Sequence, residues 1–165
     1  MSAGGAGLVV LGCGNPSRGD DALGCELLQR LERLVADEAL AVECVLGFQL
    51  QIEHALDIVG RKLVLFVDAS VSAQAPFSFG PVAARAERAP TTHALSPGGV
   101  LEVLERVQGQ VAPPAYVLAV RGAAFELGEG LSPAAAKNLE LAWHLLQQLV
   151  RAPSPAAWRA RAEAA

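Results

Sequence analysis

Three residues spread along this sequence have side chains suited to chemistry: Asp21, Asp68 and His93. If folding brings them together, two carboxylates and an imidazole suit either a divalent transition metal or general acid–base catalysis. Asp21 and its neighbour Asp20 follow a glycine turn, Gly12-Cys13-Gly14. Asp68 closes the apolar run KLVLFV at 62–67, and an acid there must offset a desolvation cost. His93 lies in the proline-punctuated stretch TTHALSP, and taken alone it is an ordinary loop histidine. Asp20 reads as a helix N-cap. His54 and His144 fall on helical patterns and read as surface or packing residues. Cys13 could be a reactive thiol, but no histidine lies nearby in sequence to activate it. No Ser-His-Asp or Cys-His grouping can be assembled, which disfavours a covalent mechanism.

The elements that must position these residues follow from the apolar patterning. Residues 8–11 (LVVL) form a buried strand that ends at the glycine turn. Apolar residues then recur at Leu23, Leu27, Leu28 and Leu31, the one-face spacing of a helix ending near 36–37. Acids at the start of that helix suit its positive end. A second strand is expected at 41–46, and a helix at 49–59 with Gly60 as its stop. The run 62–67 is continuous, apolar and partly β-branched, as in a central parallel strand covered on both faces. Residues 75–86 read as an edge or antiparallel strand, because Pro81 interrupts a ladder. Ser96-Pro97 and Ser132-Pro133 each start a helix, to about Val107 and Val150, with serine as cap and proline in the first turn. The last strand is expected at 115–120. This alternation predicts a three-layer α/β/α sandwich with a mostly parallel five-stranded sheet and one antiparallel strand. Ligand sites in open α/β sheets lie outside the carboxyl ends of the strands, so Asp21 and Asp68 should face one crevice. Residues 1–151 read as a single domain and 152–165, rich in Ala, Pro and Arg, as a frayed tail.

The totals exclude several classes. With 165 residues, 52% of them apolar, the chain can build one core and is far from disordered composition. Its net charge of −4 and lack of a basic cluster argue against nucleic acid as a partner. The N-terminal residues MSAGGAG carry no basic region, and the first apolar run is too short for an export signal or membrane span. A cytoplasmic protein without a membrane association is expected. Three cysteines without a C-x-x-C pair do not make a disulfide framework or structural zinc site. Cys25 and Cys44 read as small apolar core residues.

The glycine turn also invites a nucleotide- or anion-binding reading. A dinucleotide fingerprint requires G-x-G-x-x-G, but the third position here is Ser17, and Pro16 lacks an amide donor. Two aspartates at the helix mouth would repel phosphate, and no lysine follows the glycines as in a Walker loop.

The combination GCGNPSRGDDALG, FVDAS at 66–70 and THALSP at 92–97 resembles the hydrogenase maturation endopeptidases, the processing proteases of nickel–iron hydrogenase large subunits. Their pattern is a hydrophobic strand, G-x-G-N, a short gap and D-[DE]-x-x-G, then a strand ending V-D-A and a histidine loop. Order and separations fit over residues 8 to 150. The resemblance implies that Asp21, Asp68 and His93 bind nickel. It further implies that the nickel is carried by the precursor of a [NiFe]-hydrogenase large subunit rather than held permanently, and that one cut removes the precursor's C-terminal extension. It leaves two routes to hydrolysis open: nickel polarises the carbonyl or activates water, or Asp21 or Asp68 acts as general base while nickel aligns the peptide. A non-cleaving, nickel-sensing chaperone would keep the same three residues. Two departures from the pattern stand out. Many members carry D-G-G-T-x-G after the second strand, where this chain has VLGFQLQIEHAL (45–56), akin to a Gln-Leu-x-x-Glu variant at Gln49, Leu50 and Glu53. Asp21 is also one methylene shorter than the Glu of some relatives. The region 45–56 is the expected docking surface for the precursor.

Overall fold

A computed structural model describes residues 5–87 and 94–164. The elements run β1 (Leu8–Cys13), a 3₁₀ turn (Gly19–Ala22), α1 (Leu23–Glu38), β2 (Val42–Gly47), α2 (His54–Ile58), β3 (Leu63–Ser70), β4 (Phe77–Pro81), α3 (Pro97–Gln108), β5 (Ala115–Arg121), α4 (Pro133–Arg151) and α5 (Pro155–Ala164). One five-stranded sheet has the order β2-β1-β3-β5-β4. The pairs β1–β2, β1–β3 and β3–β5 are parallel, and β4 runs antiparallel to β5 along the far edge. The expected three-layer α/β architecture is therefore the observed one.

Strand alternation divides the core between two helical layers. Leu8, Val10, Leu65, Val67 and Leu118 pack with α1, α4 and α5. On the other face Val9, Leu11, Val64 and Phe66 pack with α2 and α3. β1 and β3 are buried on both faces, which is why both read as unbroken apolar runs. The two serine caps form as expected, since Ser96 accepts from the Gly99 N–H and Ser132 from the Ala135 N–H.

Two expectations need correction. The tail placed at 152–165 does not fray, because residues 155–164 form α5. Trp158 is 1% exposed, meets Phe79 and Tyr116 edge-on, and donates its indole N–H to the Leu149 carbonyl at 3.1 Å. A single aromatic anchor turns an Ala- and Arg-rich segment with little amphipathic signal into a packed helix. The helix expected over 49–59 is only His54–Ile58. Leu50 is buried and its carbonyl accepts from the Leu95 N–H, so this stretch is tied to the loop before α3 and cannot continue a helix ladder.

Candidate active site

From β1 the chain passes through α1 to β2 on one side. From β2 it crosses through α2 to β3 on the other side of β1. The sheet order therefore reverses between β1 and β3, and a crevice opens at their carboxyl ends. Close packing brings the turn after β1 into that crevice. A Cβ on Gly12 would lie 2.3 Å from Leu28 of α1, and one on Gly24 would lie 2.3 Å from the Cys13 carbonyl. Gly14 has φ +147°, and a Cβ there would meet the Asp21 carbonyl at 2.0 Å. These glycines let helix, turn and strand approach closely enough to bring Asp21 over the end of β1.

Asp21 is held by its own turn. Its Oδ2 accepts from the Asn15 N–H at 2.8 Å, while Asn15 Oδ1 accepts from the Ser17 N–H at 2.9 Å. Asp68 reaches the crevice from β3. The register pairing Gly12 with Val67 carries Cys13 and Asp68, one step further on, onto the same face. The Cys13 thiol donates to the Asp68 carboxylate, and Asp68 Oδ1 accepts from the Ala69 N–H at 2.8 Å. Burial pushes the Asp68 carboxyl up to about 6; these two hydrogen bonds oppose the shift and the Asp21 charge adds to it. Burial, and then the Asp68 charge, push the Cys13 thiol far above its usual range. Cys13 is thus a protonated donor rather than a nucleophile.

Asp21, Asp68 and Cys13 line one cavity of about 290 Å³, together with Phe48, Gln49, Leu50 and residues 94–97. His93, the third expected ligand, lies outside the described residues. Among the described residues no group of three or more His, Cys, Asp and Glu is arranged to hold a metal ion. A larger groove of about 660 Å³ opens at the opposite end of the sheet, around Pro114 and Ala115. Neither Asp21 nor Asp68 lines it.

Asp20 does not cap a helix. Neither the 3₁₀ turn nor α1 has a side-chain cap, and Asp20 is fully buried. Its Oδ2 accepts from the Ala123 and Ala124 N–H groups and the Ser132 hydroxyl, and its Oδ1 from the Ser132 N–H, all at 2.7–2.9 Å. Burial alone would raise this carboxyl; the four donors outweigh it and hold it below the usual carboxylate range. Asp20 thereby fastens the turn after β1 to the β5–α4 loop. Sequence separations of more than a hundred residues left that role without a local signal. Other side chains settle as packing or local structure. His54 Nδ1 accepts from the Gln51 N–H at 2.8 Å, Cys25 is buried with its thiol donating to the Gly14 carbonyl, and Cys44 packs against the core.

The glycine turn has no free cradle for an anion. The N–H groups of Gly14, Asn15, Ser17, Arg18 and Gly19 all have internal partners, and one of those is the Asp21 carboxylate. What remains is an open α/β domain whose switch-point cavity carries two acids and a thiol, a site for acid–base or cation chemistry rather than phosphate binding.

No protein-family model matches this chain, and no curated protein does so either. Solved structures do. The chain is similar to the hydrogenase maturating endopeptidase HybD from E. coli, with 25% identity over 87% of this chain and 91% of that one, at a TM-score of 0.65. It is also similar to the [NiFe] hydrogenase maturation protease HycI from Thermococcus kodakarensis KOD1, with 23% identity over 90% and 95% of the two chains and a TM-score of 0.69. A hydrogenase 2 maturation peptidase from a Thaumarchaeota archaeon matches at 16% identity over 86% and 95%, with a TM-score of 0.59. The fold is that of the hydrogenase maturation endopeptidases, and the resemblance read from the sequence motifs stands.

Proposed function

We propose that this protein is an endopeptidase that removes the C-terminal extension of a nickel-loaded [NiFe]-hydrogenase large-subunit precursor. The observation that carries this reading is the convergence of Asp21 and Asp68 in the switch-point cavity of a fold shared with maturation endopeptidases. The nickel belongs to the substrate. Asp21 and Asp68, with His93 as third ligand, recognise it as it arrives with the precursor. Asp68, in the same cavity, is the general base, with the nickel serving to align the peptide. A water oxygen bonds to the scissile carbonyl carbon as its proton passes to Asp68. The C–N bond then breaks and the proton leaves with the amine. Phe48 at the cavity, Ile52 in the turn before α2 and Leu56 on α2 stand 71%, 60% and 67% exposed, apolar surface suited to docking the precursor. No helix among the described residues is long and apolar enough to cross a membrane, and a cytoplasmic site of action completes the proposal.

Mass spectrometry of nickel-loaded and nickel-free precursor, with and without the protein, tests the reading. Loss of one C-terminal peptide from the loaded form alone is expected. Cleavage regardless of nickel would keep the protease but remove the metal role of Asp21, Asp68 and His93. Binding of the loaded form with no cut would make the protein a nickel-sensing chaperone instead.

A further inference from the structure

A second chamber adjoins the Asp21–Asp68 cavity and shares Gly14 and Phe48 with it. Its other walls are Pro16 from the turn, Cys25 and Gln29 from α1, and Leu46 from the end of β2. No charged side chain among the described residues lines it. It holds about 270 Å³, and the acid-lined cavity about 290 Å³. Both fall below the roughly 300–1,000 Å³ typical of sites for drug-sized molecules. Each is the size for one residue of a larger chain. β2 is the outermost strand on this side of the sheet, so an extended peptide can reach the chamber without crossing another element. Phe48 and Leu46, 71% and 40% exposed, present apolar surface at its mouth.

From this juxtaposition we propose that the second chamber is the specificity subsite of the protease, taking one apolar side chain of the substrate next to the bond that is cut. Phe48 is the wall separating that side chain from the reacting carbonyl. The inference rests on the endopeptidase reading above and adds to it the residue class selected beside the cut. Acidic side chains are rejected, because the described residues of the chamber offer no counter-charge and the Asp21 carboxylate stands in the adjoining cavity.

The test uses the full chain and a nickel-loaded large-subunit precursor, with the cut located by mass spectrometry. Gln29→Trp, at an exposed position on α1 away from both aspartates, fills the chamber. We expect kcat/KM on the native precursor to fall about tenfold or more, the scale at which apolar pockets discriminate side-chain size. A precursor whose apolar residue beside the cut is shortened to Ala should restore cleavage by Gln29→Trp while being a poorer substrate for the wild-type enzyme. Phe48→Ala, which merges the chambers, should cut the native and alanine precursors alike. Unchanged kcat/KM for Gln29→Trp, failure of every alanine precursor to restore it, or a cut with no flanking apolar residue would overturn the subsite while leaving the protease intact. A wild-type protein that leaves loaded precursor uncut would overturn the protease and the subsite together.

Discussion

At Asp68 the burial that raises the carboxyl to about 6 acts on a group that the proposed hydrolysis needs ionised. Folding a raised-pKa acid favours its protonated form. Its stabilising contribution is therefore complete below the unfolded-state pKa near 4 and is lost as pH rises through about 6. Asp68→Asn keeps the shape and the acceptor for the Ala69 N–H but removes the charge. Urea unfolding across pH 4 to 8 should find the variant more stable than wild type by about 1–3 kcal/mol at pH 7.5, with the difference vanishing near pH 4. The same variant should not cleave precursor. Asp20 has the opposite sign: a carboxyl held low stabilises above its unfolded pKa, and that contribution is lost as pH falls through its lower folded value. Asp20→Asn places an amide donor among four donors, and Asp20→Ala leaves all four unpaired. Each substitution should cost about 2–4 kcal/mol at pH 7 in the same unfolding measurement.

Among the elements, the β1–α1 connection works through missing side chains. Gly14→Ala combines a φ of +147° with a 2.0 Å approach to the Asp21 carbonyl, and backbone atoms cannot swing aside as a flexible side chain does. The turn must move, taking Asn15 and Asp21 with it. Cleavage should fall at least about tenfold, since a displacement of about an ångström is costly in a catalytic constellation. Far-ultraviolet circular dichroism at low temperature should remain that of a folded protein. The start of α3 is braced differently: Glu87 accepts from both the Ser96 N–H and the Ser96 hydroxyl.

For the whole molecule, the acid-lined end of the sheet is separate from the end that carries much of the packing. Trp158 packs against Tyr116, near the start of β5, whereas Asp68 lies near the end of β3. Trp158→Ala should therefore lower unfolding stability by about 3–5 kcal/mol while leaving cleavage per folded molecule near the wild-type rate. The bidentate pairs Arg30–Glu140 and Arg151–Glu38 tie α1 to α4 at the surface. Exposed pairs of this kind add little to stability.

Local features of the sequence determined the layers and the place of the candidate site. The runs at 8–11 and 62–67 read as buried strands, the serine–proline caps marked the starts of α3 and α4, and Asp68 at the end of a buried run pointed to the crevice. Pattern and capping act over a few residues, so they are visible in the chain itself. Tertiary structure decided what depends on partners distant in sequence. It made Asp20 a latch to the β5–α4 loop instead of a cap, and Cys13 a donor to Asp68 instead of a nucleophile. It shortened α2 through the Leu50–Leu95 bond and folded the tail around Trp158. In each case a buried polar group or aromatic ring had to find its complement across the fold, and no local spacing encodes which complement that is.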